Sequence, residues 1–302
     1  MSASTFDPST DTGPSTAGDR TEANRHARRR RSFGVIGRYL LLLFVLLISV
    51  GPFLWQISTS LKGPGENIFA FPPDFIPREP TFDNYVTVMQ SLPLGTYLAN
   101  SSYVALVVVV GNCLFGAMAG YALARMRFRG RDSLFAMMIA TLVIPFEVIM
   151  ISVFLVARDL NLINTLTGAA LPIAVTVLSI FIMRQGFVSL HPELEEAARV
   201  DGTNEWQLFW NVALPSARGS LAVVAIFSFM TAWDDFLWPL IILRDPSQFT
   251  LTVGLVFLDG QFSADQRLIA AGTIIAIVPV LLLFIALQRQ FFRGVGQAAV
   301  KG

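Results

Sequence analysis

The sequence predicts an all-α membrane protein with six transmembrane helices, and three observations support this. Hydrophobic residues make up 54% of the 302-residue chain and charged residues only 14%, whereas a soluble globular domain carries about 25% charged residues. Six apolar runs are long enough to cross a hydrocarbon core of about 30 Å. The runs are continuous rather than alternating, which indicates helices and not barrel strands, the only two structures that satisfy their backbone in lipid.

An N-terminal tail precedes the predicted spans. Residues 1–32 are rich in Ser, Thr, Asp, Gly and Pro, so we expect a disordered tail, and residues 33–302 form the transmembrane domain. The first apolar run is too long for a signal peptide and lacks a small-residue cleavage site, which predicts an uncleaved first span. The six spans are 35–58, 98–123, 133–156, 166–187, 219–242 and 265–288.

Basic residues predict how the spans are oriented. Short cytoplasmic loops of membrane proteins are enriched in Lys and Arg. This rule places both termini, the N-terminal tail and the segment 188–218 in the cytoplasm, and the loop 59–97 outside. The residues that carry this prediction are Arg25, Arg28 to Arg31 and Arg38 before the first span, Arg125, Arg127, Arg129 and Arg131 after the second, Arg184, Arg199 and Arg218 around 188–218, and Arg289, Arg293 and Lys301 after the sixth.

The segment 188–218 is polar and aromatic, although it lies between two apolar spans. Pro192 suits the first turn of a helix, where a missing N–H has no consequence. Glu193, Glu195 and Glu196 follow near the N-terminus, where the helix dipole favours anions. Gly202 suits the position after a helix end, where a left-handed backbone is needed. A first short helix is therefore predicted between Pro192 and Gly202.

A second short helix is predicted to follow Gly202. Thr203 or Asn204 can cap it, and Pro215 ends it before the fifth span. An apolar face is formed by Trp206, Phe209, Trp210 and Ala213, at i, i+3, i+4 and i+7. Such a hairpin can rest on lipid headgroups or bind a protein. The segment carries more acid than base, which disfavours anionic headgroups, and its glycine and alanines favour close approach by a protein partner.

A set of residues at fixed spacing runs through this segment: Glu196, Ala197, Ala198, Gly202, Val212, Leu214 and Pro215. The set resembles the EAA loop of ABC-importer permeases, and residues 188–218 are called the EAA loop below. GYALARMRFRGR at 120–131, FIMRQGFVSLHPELEEAA at 181–198 and WDDFLWPL at 233–240 are similar to the maltose-type, MalG-like branch of the sugar permeases. The resemblance extends over nearly all of 35–302 and implies the type I ABC importer permease fold.

The resemblance also implies a function and a set of partners. In that family the EAA loop contains a coupling helix that docks into a groove on a cytoplasmic ATPase. This chain would then be a non-catalytic permease subunit that imports a sugar or sugar-like solute through the bacterial inner membrane. Its expected partners are a second, homologous permease, two ATPase subunits that bind the ATP and Mg²⁺, and an extracytoplasmic substrate-binding protein; this chain itself would bind no cofactor. The implied ATPase-coupling residues are Glu196, Ala197, Ala198, Asp201, Gly202, Leu214 and Pro215.

Three acidic residues lie inside the predicted spans: Glu147, Asp234 and Asp235. A charge near the bilayer centre costs roughly 2.5–3.5 kcal/mol on insertion scales, so such residues tend to have a function. Carboxylates accept hydrogen bonds from hydroxyl-rich solutes, and aromatic rings pack against them. We expect Glu147, Trp233 and Asp235 to line the outer part of a translocation pathway. The alternative is that these acids bond to neighbouring helices or reach toward the outer surface.

Other features of the spans predict packing. Gly116 and Gly120 form a GxxxG pair that lets two helices of this chain approach closely. Pro145 and Pro239 are expected to bend their helices. Cys113 is the one cysteine, so it cannot form a disulfide or a cysteine-ligated metal site within the chain.

Several functions are disfavoured by the motifs. The sequence has no GxxxxGK[ST], HExxH or GxSxG, so neither ATP hydrolysis nor these two hydrolytic chemistries are predicted. His26 and His191 are too far apart in context to suggest a metal site, and no nucleic-acid partner is expected. Two alternatives to an importer permease remain: a self-powered secondary transporter, for which we see no internal repeat, and a membrane-anchored scaffold or enzyme.

Overall fold

The computed structural model describes residues 17–68, 70, 74–262 and 265–299. The chain divides into two compact units, Met1–Trp55 and Gln56–Gly302. Among the described residues the α-helices are α1 (Ala17–Ser60), α2 (Asp83–Ser91), α3 (Leu94–Arg125), α4 (Arg131–Thr141), α5 (Phe146–Asp159), α6 (Leu166–Ala170), α7 (Val177–Val188), α8 (Pro192–Val200), α9 (Glu205–Leu208), α10 (Leu214–Ser216), α11 (Arg218–Asp234), α12 (Leu237–Ile242), α13 (Leu251–Phe262) and α14 (Gln266–Ala299). A π-helical segment, Phe209–Ala213, joins α9 to α10, and two 3₁₀ turns lie at Leu171–Ile173 and Pro246–Gln248.

The first span lies within α1, where Gly37–Ser60 is long and apolar enough to cross a membrane. Helix α1 begins at Ala17, inside the segment 1–32 that the sequence predicts to be disordered. The structure differs there because residues 17–32 are rich in Ala and Arg, which have high helix propensity and extend the helix of the span. Residues 1–16 of the predicted tail lie outside the described residues.

Among the described helices, three are single candidate spans and three further candidates are bent pairs, so up to six spans are present. The single spans are Gly37–Ser60, Leu94–Arg125 and Gln266–Ala286. The bent pairs are α4 with α5 (100°), Leu166–Ile173 with α7 (48°), and Glu205–Ser216 with α11 (78°). The bend predicted at Pro145 is confirmed, because the third span is interrupted between α4 and α5. The fifth span, where a bend was predicted at Pro239, is interrupted as well, because α11 ends at Asp234 and α12 begins only at Leu237. The interruption of the fourth span was not predicted.

Prolines explain the breaks. A proline has no N–H and its ring clashes with the carbonyl four residues earlier. Pro145 lies immediately before α5, and α4 has already ended at Thr141. Pro239 frees the carbonyl of Asp235, which accepts a hydrogen bond from the Thr252 hydroxyl at 2.8 Å.

The break in the fourth span follows the same rule, although its proline was not singled out from the sequence. Pro172 lies in the 3₁₀ turn Leu171–Ile173, so the carbonyl of Gly168 has no partner at position 172. The indole N–H of Trp238 donates to this carbonyl at 3.1 Å. A side chain of α12 thus satisfies a backbone group exposed by a break in a different span.

Asn112, in the middle of α3, forms hydrogen bonds with backbone groups on both sides of the break in the fourth span. Its side chain is fully buried, and its amide nitrogen donates to the carbonyl of Ile173 at 2.8 Å. Its amide oxygen accepts from the backbone N–H of Thr176 at 2.8 Å and from the Thr176 hydroxyl at 2.9 Å. Thr176 in turn caps α7 by accepting from Ser179 N–H. One side chain therefore satisfies both edges of the break.

Helix α3 runs through the core of the second unit, and small residues let α7 approach it. A Cβ atom added to Gly120 would meet the backbone nitrogen of Arg184 at 2.8 Å, and one added to Gly116 would meet the hydroxyl of Ser179 at 2.7 Å. The predicted use of Gly116 and Gly120 in packing within this chain is confirmed. Cys113, three residues before Gly116 in the sequence, is half-buried and packs against the cluster that contains Ala117 and Met183.

The two ends of α3 define the two ends of the second unit. Near its start, Asn100 donates to the carbonyls of Ser247 and Phe249, both at 2.9 Å. At its last residue, Arg125 donates to the carbonyls of Phe187 and Leu190. The loop that follows α12 therefore lies at one end and the EAA loop at the other.

We predict that Asn112→Leu destabilises the protein. The substitution leaves the carbonyl of Ile173 and the N–H of Thr176 buried without a partner. Each such group lowers the free energy of unfolding by about 1–3 kcal/mol. The unfolding temperature of the purified protein in detergent should fall, whereas Ser102→Ala, which alters an exposed hydroxyl on the same helix, should leave it unchanged. Equal unfolding temperatures for the two variants would contradict the role assigned to Asn112.

Candidate functional site

Helix α8 is the first half of the EAA loop and has two different faces. Pro192 occupies its first turn, as predicted. Glu195 and Ala198, three residues apart, point inward and are buried. The opposite face is exposed and is formed by Glu193, Glu196, Ala197 and Val200, at i, i+3, i+4 and i+7. This second set is called the outer face of α8 below.

The outer face contains only part of the predicted coupling set. Glu196 and Ala197 are exposed on it, and Asp201 is exposed directly after it. Ala198, which was expected to fit a partner's groove, is only 8% exposed. Ala198 follows Ala197 on the inner face of α8, which packs against the rest of the protein. Its methyl group is therefore not available to a partner in this conformation.

The turn after α8 has the predicted chemistry. Gly202 has φ +82°, a left-handed conformation that only glycine adopts without strain. Its N–H donates to the carbonyl of Arg199 at 3.1 Å, and the N–H of Thr203 donates to that of Ala198 at 3.2 Å. Asn204 then caps α9 in a reciprocal capping box with Gln207. The predicted left-handed turn at Gly202 and the predicted N-cap at Asn204 are confirmed.

The second half of the loop differs from the single helix that was predicted. Phe209 and Ala213 are buried, but Trp206 is 60% exposed and Trp210 is also exposed, so the four residues do not form one buried face. Phe209 packs against Tyr121 and Phe187, with ring centroids 5.3 and 6.3 Å away. The loop is thereby fixed to α3 and α7 through one aromatic side chain.

A π-helical turn, Phe209–Ala213, follows α9. The N–H of Leu214 donates to the carbonyl of Phe209, five residues earlier. This wider turn accommodates Pro215, which lacks an N–H and is poorly tolerated inside an α-helix. The prediction that the helix ends at Pro215 is therefore wrong. The helix continues in α10 to Ser216. Leu214 is half-buried and Pro215 is exposed.

A buried ion pair, which was not predicted from the sequence, joins α8 to α3. The Nε atom of Arg125 lies 2.9 Å from a carboxylate oxygen of Glu195, and the two side chains are 15% and 7% exposed. The Nη2 atom of Arg125 donates to the carbonyls of Phe187 and Leu190 at 2.8 and 2.7 Å. Removing one partner of such a pair leaves an uncompensated buried charge, which costs about 3–5 kcal/mol.

A second polar contact runs parallel to this ion pair. Arg199 of α8 lies 3.0 Å from Glu205 of α9, and the hydroxyl of Tyr121 donates to Glu205 at 3.4 Å. Tyr121 and Arg125 are four residues apart on α3, as Glu195 and Arg199 are on α8. The second contact is largely exposed to solvent and therefore contributes less than the first.

The predicted pathway residues lie at two of the span breaks. Glu147 is exposed in the first turn of α5, and Asp235 is half-buried in the break between α11 and α12, where it accepts from the N–H of Trp238 at 3.4 Å. The ring of Phe146 contacts that of Trp238, with centroids 5.7 Å apart. The breaks of the third and fifth predicted spans are therefore neighbours.

Trp233 does not line an open path in this conformation. It is 4% exposed, its ring stacks on Phe229 with centroids 5.1 Å apart, and its indole N–H donates to the carbonyl of Ala276 at 3.1 Å. It joins α11 to α14. As for metals, no cluster of three or more His, Cys, Asp or Glu side chains suited to an ion occurs in the described part of the chain.

These features define a class of protein: a membrane transport permease with broken spans and a helical loop anchored at one end. The chain belongs to the family described as binding-protein-dependent transport system inner membrane component, whose model matches residues 112–297. It therefore has the type I ABC importer permease fold and is a non-catalytic transport subunit. The self-powered transporter and the scaffold are excluded as alternatives.

Individual relatives agree with this assignment. The chain is 36% identical over 266 residues to the arabinooligosaccharides transport system permease protein AraQ of Halalkalibacterium halodurans, a match that covers 86% of this chain and 94% of the relative. It is 32% identical to the diacetylchitobiose uptake system permease protein NgcG of Streptomyces coelicolor, over 92% and 93% of the two chains. Among solved structures, a bacterial ABC transporter involved in the import of the acidic polysaccharide alginate matches with a TM-score of 0.76 and 26% identity, over 87% of this chain and 98% of that one.

We predict that truncation of two aromatic residues of the EAA loop affects stability very differently. Phe209→Ala removes a buried ring between Tyr121 and Phe187 and should destabilise the protein by about 3–5 kcal/mol, the usual cost of such a truncation. Trp206→Ala removes an exposed ring and should leave the unfolding temperature unchanged. Thermal unfolding in detergent checks both; a large effect of Trp206→Ala would show that the outer ring is structural.

Proposed function

We propose that this chain imports a sugar or sugar-like solute and is driven by separate ATPase subunits that dock on the outer face of α8. The observation that carries the proposal is an exposed acidic helix face on a firmly held helix. Glu193 and Glu196 project from it and Asp201 follows directly, whereas Glu195 and Phe209 fix the other side of the loop to the membrane helices. A face of this kind fits a basic groove on a globular partner better than it fits anionic lipid.

The proposed assembly contains five chains. A second, homologous permease pairs with this one, two ATPases bind ATP and Mg²⁺, and an extracytoplasmic substrate-binding protein delivers the solute. The description of the family as binding-protein-dependent supports the last of these partners. Basic residues around the EAA loop support a cytoplasmic position for it and for both termini of a multi-pass protein of the bacterial inner membrane.

The mechanism follows from the position of the loop. Closure of the two ATPases on ATP would draw together the EAA loops of the two permeases. Because the EAA loop is fixed to α3 and α7, these helices would move with it and open the cavity toward the binding protein. ATP hydrolysis would reverse the motion. Glu196 serves as the electrostatic anchor, Ala197 allows close approach, and Gly202 provides the turn after α8.

The pathway is proposed to pass the adjoining breaks of the third and fifth spans. Glu147 and Asp235 place one carboxylate at each of the two adjoining breaks, and irregular backbone at membrane depth is tolerated where it lines a cavity. Hydroxyl-rich solutes donate hydrogen bonds to carboxylates. The relatives named for arabinooligosaccharides and diacetylchitobiose support a carbohydrate as the solute. Trp233 shapes this region from behind by joining α11 to α14.

We predict that Glu196→Lys abolishes stable association with the ATPase. The residue is exposed, so the substitution should not disturb the fold, but it reverses the charge at the centre of the outer face. Co-purification of the ATPase with the tagged permease and ATP turnover of the complex measure the effect. Glu79→Lys makes the same reversal at an exposed residue of the loop 59–97 and should retain the ATPase; loss of ATPase from both variants would remove the support for this docking face.

We predict that Asp235→Asn lowers solute uptake while the protein remains folded. The new side chain keeps an oxygen that can accept the N–H of Trp238, but it loses the charge that strengthens hydrogen bonds to solute hydroxyls. A charged acceptor contributes about 1.5–3 kcal/mol, so uptake should fall by roughly tenfold or more. Uptake of radiolabelled sugar into proteoliposomes gives the measurement. Asp234→Asn, at the exposed neighbour, is the matched control, and equal uptake by all three proteins would place the path elsewhere.

A further inference from the structure

A buried charge pair holds α8 directly against the end of α3. Arg125 is the last residue of α3, and its guanidinium has contacts on three sides. Nη2 donates to the carbonyls of Phe187 and Leu190, which lie at the end of α7 and just before α8. Nε contacts the carboxylate of Glu195 at 2.9 Å. One side chain therefore joins the end of α3, the end of α7 and the middle of α8.

The geometry of α8 gives this joint a specific role. Glu195 and Glu196 are neighbours in sequence, but one is buried and the other is exposed, because consecutive residues lie about 100° apart around a helix. Force applied to the outer face through Glu196 must reach the membrane helices through the inner face. The inner face carries Glu195 and the small Ala198, and Glu195 is the residue of this face that reaches α3.

We propose that Arg125 and Glu195 form a positioning linkage that transmits movement of α8 to α3 and α7. This proposal rests on the proposed function, since it assigns the route by which ATPase closure reaches the transmembrane path. Neither residue touches solute or ATPase. Glu205, which contacts Arg199 and accepts from the Tyr121 hydroxyl, supports the same joint from the side. Solvent weakens the exposed Arg199–Glu205 pair, so the buried pair contributes more.

The variants that test this proposal separate linkage from stability. Glu195→Gln and Arg125→Met each break the pair and leave a buried charge without its partner, so each should also lower stability. Arg125→Met/Glu195→Met removes both charges with little change in volume. Replacement of a buried ion pair by apolar residues is often neutral for stability. The double variant should therefore regain thermal stability but not coupling.

Two measurements are made on the assembled transporter. The first is ATP turnover with and without the loaded binding protein. Glu195→Gln and the double variant should retain the ATPase and its basal turnover, because the outer face is intact. Their stimulated turnover should fall at least about fivefold, the lower end of coupling between distant sites. Asp132→Asn, an exposed neutralisation in the first turn of α4 and outside the outer face of α8, is the matched control and should remain within twofold of the parent, a margin set well below that about fivefold effect.

The second measurement is a distance that does not depend on activity. Spin labels at Leu194 and Arg129, both exposed, are introduced in a Cys113→Ser background and report the separation of α8 from the end of α3. The parent should give a narrow distance distribution that stays the same with and without ATP. The double variant should give a broad one.

The outcomes decide between three cases. A double variant with normal stimulation and a narrow distribution would overturn the proposed linkage and leave the pair a purely structural role. A broad distribution with lost stimulation in a thermally stable double variant supports the linkage. If the parent chain does not retain an ATPase, the proposed function fails, but the distance distribution of the chain still decides whether the buried pair holds α8 in place. If Glu195→Gln does not fold, the double variant alone decides.

Discussion

The structure depends on one constraint: within the hydrocarbon core every backbone N–H and C=O must find a partner inside the protein. Prolines at positions 172 and 239 each leave a carbonyl without its helical donor. The indole of Trp238 and the hydroxyl of Thr252 supply the missing donors, and Asn112 closes the remaining gap in the fourth span. Because these donors come from other helices, each break also ties two spans together, and the breaks add to the cohesion of the unit.

The constraint also divides the spans into continuous helices and interrupted ones. Helix α3 is continuous over 32 residues and is packed closely against α7 at Gly116 and Gly120. The third and fifth predicted spans are interrupted, and their interruptions adjoin at Phe146 and Trp238. A continuous helix transmits displacement along its length, whereas a broken span can change its angle at the break. The unit thus combines a stiff element that reaches the EAA loop with bent elements that carry carboxylates.

Much of this architecture could be predicted from the sequence, because apolar runs, prolines, glycines and capping residues act locally. The turn at Gly202, the cap at Asn204 and the approach at Gly120 were identified from residue type and spacing alone. The inner role of Glu195 could not be predicted, since which side of a short helix faces inward is decided by tertiary contacts with Arg125. The break in the fourth span was missed for a related reason: hydropathy measures the length of an apolar sequence and is insensitive to donors that stabilise a break.

The two faces of α8 explain how one short helix can be firmly held and also available to a partner. A loop that becomes ordered only on binding loses conformational freedom at that moment, and this loss weakens the complex. Here the loss has already occurred on folding, through Glu195, Phe209 and the capping box at Asn204. The outer face is consequently preorganised, with Glu196 and Ala197 fixed relative to α3 before any partner arrives. Firm anchoring is also what a coupling element needs, since a flexible joint would absorb the displacement instead of passing it on.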